Sequence, residues 1–403
     1  MAGLRYLTAG ESHGVQLTAI VDGCPAGLAL SAEQIDRDLG RRQQGYGRGD
    51  RQAIELDRVN LLSGVRYGET TGAPITLTIT NHDAANWGDT LAVRQPASKA
   101  DAVTVPRPGH ADLMGAVVYG RSDIRDVIER ASARETAARV ACGGVARALL
   151  GEVGCRVTSH VVAIGGVVAA NGERFADVDS AGRVDRSALA AAVEATAATA
   201  DADPVRCLDP AASAHMCAAI DEAAVAGDTL GGVFEVRVSG FPPGVGTYVQ
   251  GDRRLGVSLT AALMTIPAIK GVEVGLGFAA AASQGSQVHD EIFLDEQGAF
   301  RRATNRAGGI EGGISTGETV VLRAAMKPIA TLRSPLGSVD LSSGERVSAR
   351  FERSDVCAVP AASIVGEAVV ALALADALLG RVGGTTVAEV VSRAKDLWER
   401  NRR

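Results

Sequence analysis

Aromatic side chains are scarce, at 3% of 403 residues, so any core must be built from Ala, Val, Ile and Leu. The six cysteines, Cys24, Cys142, Cys155, Cys207, Cys217 and Cys357, form no CxxC pair. No His/Cys group has zinc-ligand spacing, so no metal site is expected. Scattered cysteines suit a reducing compartment and the role of small buried hydrophobes. Positive charge is not in excess: the formal net charge is -6. That speaks against a general nucleic-acid or anionic-membrane footprint. No GxGxxG follows a strand and opens a helix, and no GK[ST] occurs, so neither a dinucleotide-binding nor a Walker-type phosphate loop is supported. The N-terminal MAGLRYLTAGESHG lacks the apolar run of a secretory signal, which points to a cytoplasmic protein. The one membrane-like run, 361–379, contains Glu367 and Asp376. Carboxylates are costly in lipid, so a buried central helix is expected there and no membrane partner.

Glycine is abundant, at 48 residues. Alternating patterns predict strands at 15–23, 54–62, 75–80, 156–164, 233–239 and 319–326. A helix is expected over 31–44, opened by a Ser31/Gln34 capping box. A second is expected over 133–150, with Ser132 and Glu135 in the same roles. Further helices are expected at 187–200, 211–226, 255–271, 361–379 and 386–401. Residues 81–106 read as irregular, and AGGIEGGISTG (307–317) as a glycine-rich loop. There is no regular βαβ rhythm, internal repeat or long linker.

Five constellations could carry chemistry. Arg37, Arg41, Arg42, Arg48 and Arg51 fall within fifteen residues, around Gly45, Gly47 and Gly49. Convergent guanidinium groups bind phosphate and carboxylate bidentately, although a solvated basic helix end would look the same. Arg130 and Arg134 flank a helix start, where free N–H groups favour an anion. The glycine loop, with Lys327-Pro328 one strand later, could present backbone donors; a structural turn explains it equally well. His13 and His110 lie in glycine-flanked loops, the context of a proton donor or acceptor near neutral pH. His160, within a strand, and His215, within an Ala-rich helix, read as packed or solvated. Arg353-Ser354-Asp355 precedes the last long apolar run, either as part of a site or as a surface ion pair. Together these features describe a pocket for a small polyanion.

The motifs that carry these residues resemble those of the chorismate synthase family, in order and over nearly the whole chain. They are GESHG (10–14), RRQQGYGRG (41–49), SGVRYGETTGAPI (63–75), RPGHAD (107–112), ERASARETAARVA (129–141), GDTLGG (227–232), AIKGVEVG (268–275), GSQVHDE (285–291), NRAGGIEGGISTG (305–317), MKPIAT (326–331) and RSDVCAVPA (353–361). The resemblance implies an α+β fold, a β-α-β sandwich with helices between two mainly antiparallel sheets. It implies one domain over 1–403, usually in a homotetramer. The implied reaction is elimination of phosphate from 5-enolpyruvylshikimate 3-phosphate to give chorismate, with reduced FMN and no net redox change. By resemblance, Arg42, Arg48, Arg51, Arg107 and Arg134 hold substrate. Arg42 and Arg48 also match positions linked to NADP, which leaves NADPH as no more than an indirect reductant. His110 would protonate the leaving phosphate, His13 would hydrogen-bond the reduced flavin, and Asp355 would assist flavin N5. FMN contacts are implied for Arg130, Ala131, Ser132, Pro267, Ala268, Gly312, Lys327, Pro328, Ile329, Ala330, Thr331 and Arg353. Ala330 and Pro267 depart from the commoner family residues, with altered flavin affinity the expected consequence. Residues 165–206 match poorly and take no role. Two other readings are a flavin reductase and a non-enzymatic polyanion binder.

Overall fold

The structure, a computed structural model, describes residues 3–49, 56–94, 100–170, 196–352 and 354–402. Strands β1 (Arg5–Ala9), β2 (Gln16–Asp22), β3 (Val59–Leu61) and β4 (Ile75–Thr80) form one antiparallel sheet in the order β1-β2-β4-β3. Side chains alternate across a strand, so Leu17, Ala19 and Val21 of β2 join Ile75, Leu77 and Ile79 of β4 in the core. A second antiparallel sheet holds β5 (Arg156–Ile164), β6 (Val167–Val168), β7 (Gly232–Ser239), β8 (Ile269–Val274) and β9 (Val320–Met326), in the order β8-β9-β7-β5-β6.

Helices α1 (Ala32–Gln43), α2 (Asp112–Tyr119), α3 (Arg125–Ala131), α4 (Thr136–Glu152), α5 (Pro210–Ala226), α6 (Leu255–Met264), α7 (Val359–Val382) and α8 (Val387–Arg400) accompany the sheets. α4 packs on β2 and β4 and also on α7, and α7 packs on β5 and β7. Two glycines permit this closeness. A Cβ on Gly143 would lie 2.4 Å from the Ala368 methyl, and one on Gly366 would lie 2.6 Å from the Phe234 ring.

α7 is apolar and long enough to cross a membrane, but it is mostly buried. It carries Glu367 into the core, where Arg41, Arg147 and Arg206 surround it. Arg41 meets both carboxylate oxygens, at 2.7 and 2.9 Å. Ser159 adds a hydroxyl at 2.8 Å. Burial opposes ionisation, yet Arg41 and Arg147 outweigh it and hold Glu367 down at about 2. Asp38 and Asp201 pair with the same arginines, so three cations face three anions.

Several expectations change. The α1 capping box forms with both of its hydrogen bonds. The second box does not. Ser132 accepts from the Arg134 N–H, residues 133–135 make a 3-10 turn, and α4 starts at Thr136. The Glu135 carboxylate is drawn away by the Thr8 hydroxyl at 2.7 Å and by Arg139. The helix expected over 255–271 stops at Met264, and Ile269–Val274 is a strand; Pro267 cannot donate the hydrogen bond that continuation requires. Residues 310–315 form a two-stranded hairpin turned by Gly312 and Gly313 rather than an open loop. Strand β1 and helices α2 and α3 were not anticipated. Of the helix expected at 187–200, residues 187–195 lie outside the described set, and 196–202 are helical. Of the two states expected for His160, packed or solvated, it takes the packed one. Of the cysteines, five are buried and Cys217 is partly so, all as free thiols.

Candidate active site

The ends of α1, α3 and α4 and the loops before α2 and α7 bring most of the predicted residues into two adjoining corners. In the first, His13 lies in the loop between β1 and β2. Its backbone N–H donates to Glu129 Oε2 at 2.9 Å, and its Nδ1 lies 3.0 Å from both Glu129 oxygens. Glu129, on α3, is 1% exposed. The imidazole stacks on Trp87, with centroids 4.0 Å apart and planes at 21°. Ser132 donates its hydroxyl to Ser12 Oγ at 3.0 Å, and Arg130 donates to the carbonyls of Gly10 and Thr8. Ala131 closes α3 between them.

The arginines are less free than their spacing suggested. Arg134 grips Asn81 Oδ1 at 2.9 Å and pairs with buried Asp57. Arg42 reaches the other Asp57 oxygen at 3.4 Å and the Thr136 hydroxyl at 3.1 Å. Burial pushes the Arg42 guanidinium down to about 10; Asp57 counteracts this, while Arg48 and Arg134 add to it. Three arginines therefore share one field. Arg48 pairs with Asp355 at 2.9 Å, and the Gly49 N–H donates to the other Asp355 oxygen at 2.8 Å. Arg48 Nε is buried with no hydrogen-bond partner among the described residues. A buried donor left unmet is costly, and an anion would satisfy it. Arg51 and Arg353 lie outside the described residues.

The second corner is built on RPGHAD. Arg107 donates through Nε to Asp112 Oδ2 at 2.8 Å, and His110 Nδ1 meets Asp112 Oδ1 at 2.5 Å. Burial would raise the Asp112 carboxyl, but hydrogen bonds from His110 and Arg107 hold it well below the usual carboxylate range. Arg107 also donates to the Thr331 hydroxyl at 3.2 Å. Thr331 and Asp355 line the same small cavity of about 10 Å³, and the Ser354 hydroxyl donates to the Thr331 carbonyl. His110 and Asp355 are thus tied into one structure.

Of the residues expected near a flavin, Ala268, Lys327, Pro328, Ile329, Ala330 and Thr331 gather beside this corner. The Lys327 N–H donates to the Ala268 carbonyl at 2.9 Å, and Thr229 donates to the Ile329 carbonyl at 2.7 Å. Ala268 follows Pro267 with φ at 69°, a strained left-handed conformation that turns the chain from α6 into β8. Ala330 lies across from Gly109. Among the described residues the Lys327 ammonium makes one weak contact, 3.4 Å to the Pro328 carbonyl, and burial and nearby Lys270 lower its pKa. A phosphate would relieve both effects, so these residues fit a phosphate-bearing cofactor. Gly312 is not brought to this group. Its hairpin packs on Arg254 and Leu255, at the start of α6, whereas Ala268 lies beyond that helix's other end.

Sequence reasoning missed Asp57, Asn81, Trp87, Asp112 and Glu129. Asp112 had a local signal, two residues from His110 in a quoted motif, and Glu129 opens another beside Arg130. The others arrive from distant segments.

Comparison with known proteins gives a single family. Residues 4–379 match the family model described as chorismate synthase. The chain is similar to chorismate synthase of Chlorobaculum tepidum, 53% identical over 97% of this chain and 96% of the relative. It is 53% identical to that of Pelobacter propionicus, over 99% of each, and 54% identical to that of Desulforudis audaxviator, over 99% and 98%. A solved structure described as chorismate synthase superposes with a TM-score of 0.78 at 39% identity, covering 99% of this chain and 98% of that one.

Proposed function

The chain belongs to the chorismate synthase family, and from that premise we propose how its own residues divide the work. The reaction is a carbon–oxygen lyase step of the shikimate pathway to aromatic amino acids: 5-enolpyruvylshikimate 3-phosphate loses phosphate and one proton and becomes chorismate. Arg42, Arg48, Arg107 and Arg134, joined by Arg51, bind the phosphate and the two carboxylates. The observation that carries this reading is the cluster itself. Four arginines face three buried or half-buried aspartates, Asp57, Asp112 and Asp355, which leaves a positive remainder and the unmet Nε of Arg48.

His110 donates its proton to the leaving phosphate through Nε2, because Nδ1 is committed to Asp112. Asp355, oriented by Arg48 and the Gly49 N–H, would assist N5 of the cofactor in taking the proton that leaves the substrate carbon. His13 hydrogen-bonds the cofactor. The cofactor is FMN in reduced form, held by Arg130, Ala131, Ser132, Pro267, Ala268, Lys327, Pro328, Ile329, Ala330, Thr331 and Arg353. Reduced flavin, when bound, lends electron density to the breaking carbon–oxygen bond and recovers it, so no net redox change results. NADPH enters only as an indirect reductant. The same reading takes the chain as one domain over 1–403, a β-α-β sandwich in a cytoplasmic homotetramer. The continuous core that runs from sheet to helices to sheet supports the architecture.

The test is anaerobic. Purified protein, dithionite-reduced FMN and 5-enolpyruvylshikimate 3-phosphate are mixed, and chorismate is followed by its ultraviolet absorbance. Product should form only when reduced FMN is present. Reduced FMN that binds without product forming would move the reading toward a divergent flavoprotein.

A further inference from the structure

We propose that Glu129 is the positioning residue of His13, fixing its tautomer as well as its place; this rests on the reading in which His13 serves the reaction. Two donors of one residue converge on a single carboxylate. The His13 N–H reaches Glu129 Oε2 at 2.9 Å, and Nδ1 lies 3.0 Å from both oxygens. A carboxylate accepts but cannot donate, so the nitrogen facing it must carry the proton. Nδ1 is therefore the N–H, and Nε2 is the nitrogen without the proton.

Two further contacts show that this hold is built rather than incidental. Glu129 is 1% exposed, so its charge must be compensated locally, and Arg125 stands 3.9 Å away, one turn earlier on α3. Arg125 also lies 5.3 Å over the ring of Trp87, whose own ring stacks on the imidazole. Trp87 is held in turn by Asp83 at 3.1 Å. The ring is thus fixed from one edge by Glu129 and from one face by Trp87. The carboxylate selects the tautomer, and the stacked indole hinders the ring from flipping out of its plane. A ring held in this way meets its reaction partner with its orientation already set, the condition under which a second carboxylate-held histidine, His110, also stands.

Glu129→Gln tests the role with almost no change of shape. The amide can still accept from the His13 N–H, but its NH2 group can now donate to Nδ1, which permits the Nε2–H tautomer. The ring nitrogens are read by NMR on full-length protein with 15N-labelled histidine, the His13 signals being assigned by their loss in His13→Gln. This reading needs neither flavin nor substrate, so it stands apart from the reaction assignment. The unmodified chain should show His13 with the proton on Nδ1. Glu129→Gln should move it to Nε2 and lower kcat with reduced FMN by about 10²-fold, with KM for 5-enolpyruvylshikimate 3-phosphate little changed, as when other buried partners of functional histidines are lost. An Nε2–H tautomer in the unmodified chain overturns the proposal before any variant is made. So does an unchanged tautomer in Glu129→Gln, even with lost turnover, since the role would then be structural. A shifted tautomer with full kcat removes Glu129 from the reaction.

Discussion

Arg41 and Arg42 are neighbours in sequence and belong to different worlds. Arg41 turns inward to Glu367, Asp38 and Asp201, in a cluster where Arg147 and Arg206 complete a neutral set around the buried Glu367 carboxylate. Arg42 turns toward Arg48, Arg134 and Asp57, where the cations outnumber the acids. Both clusters centre on buried carboxylates, Glu367 and Asp57, and both are rich in arginine. The difference is charge balance. A closed cluster that leaves no charge over holds the protein together, whereas one with a positive surplus and an unmet donor waits for an anion.

The contrast can be broken from either side. Glu367→Gln should have the largest effect, because it leaves three guanidinium groups, Arg206 buried and Arg41 and Arg147 partly so, without their shared buried acid. Breaking a buried pair costs about 3–5 kcal/mol, to be read from denaturant unfolding, with turnover per folded molecule unchanged. A loss of turnover at full stability would show that the two clusters are one. His110→Ala should do the reverse: turnover slows by roughly 10²–10⁴-fold, the range for a lost general acid, while the unfolding midpoint holds. Unchanged turnover would remove His110 from its role.

A smaller effect should appear on acidification. Burial lowers His160 to about 4, against a lesser opposing pull from Glu235. Below its ordinary value of 6.5 the unfolded chain takes up a proton that the folded chain refuses. Stability should therefore fall as pH drops from 6.5 toward 4 and lose nothing more from this group below that. The contribution is about 3 kcal/mol. His160→Gln should flatten that part of the curve between pH 7 and pH 4; an unaltered slope would show that His160 is not buried neutral.

What could be read beforehand was local. Ser31 and Gln34 lie three residues apart, and their capping box forms. Ser132 and Glu135 have the same spacing, but Thr8 and Arg139 compete for Glu135, and only the folded chain brings Thr8 there. Strand β1 has no buried alternation to betray it, since it lies at the edge of its sheet and is largely exposed. The candidate site followed the same rule. Cations and histidines stood out by type and by motif, while most of the acids that hold them, Asp57 and Glu129 above all, come from other segments. That left the arginines looking freer than they are.

The adjacency of Arg41 and Arg42 has a thermodynamic consequence. An anion held by Arg42 is anchored one peptide bond from the core's tightest ionic knot, so releasing the anion and melting the core become linked events. A ligand that binds only the folded chain raises the free energy of unfolding by an amount set by its concentration, about 2.7 kcal/mol at a hundred times Kd. Because α1 carries both arginines, that increment is spread through the whole helix layer and does not stay in one loop. Substrate supply would then govern how long the enzyme survives as well as how fast it works.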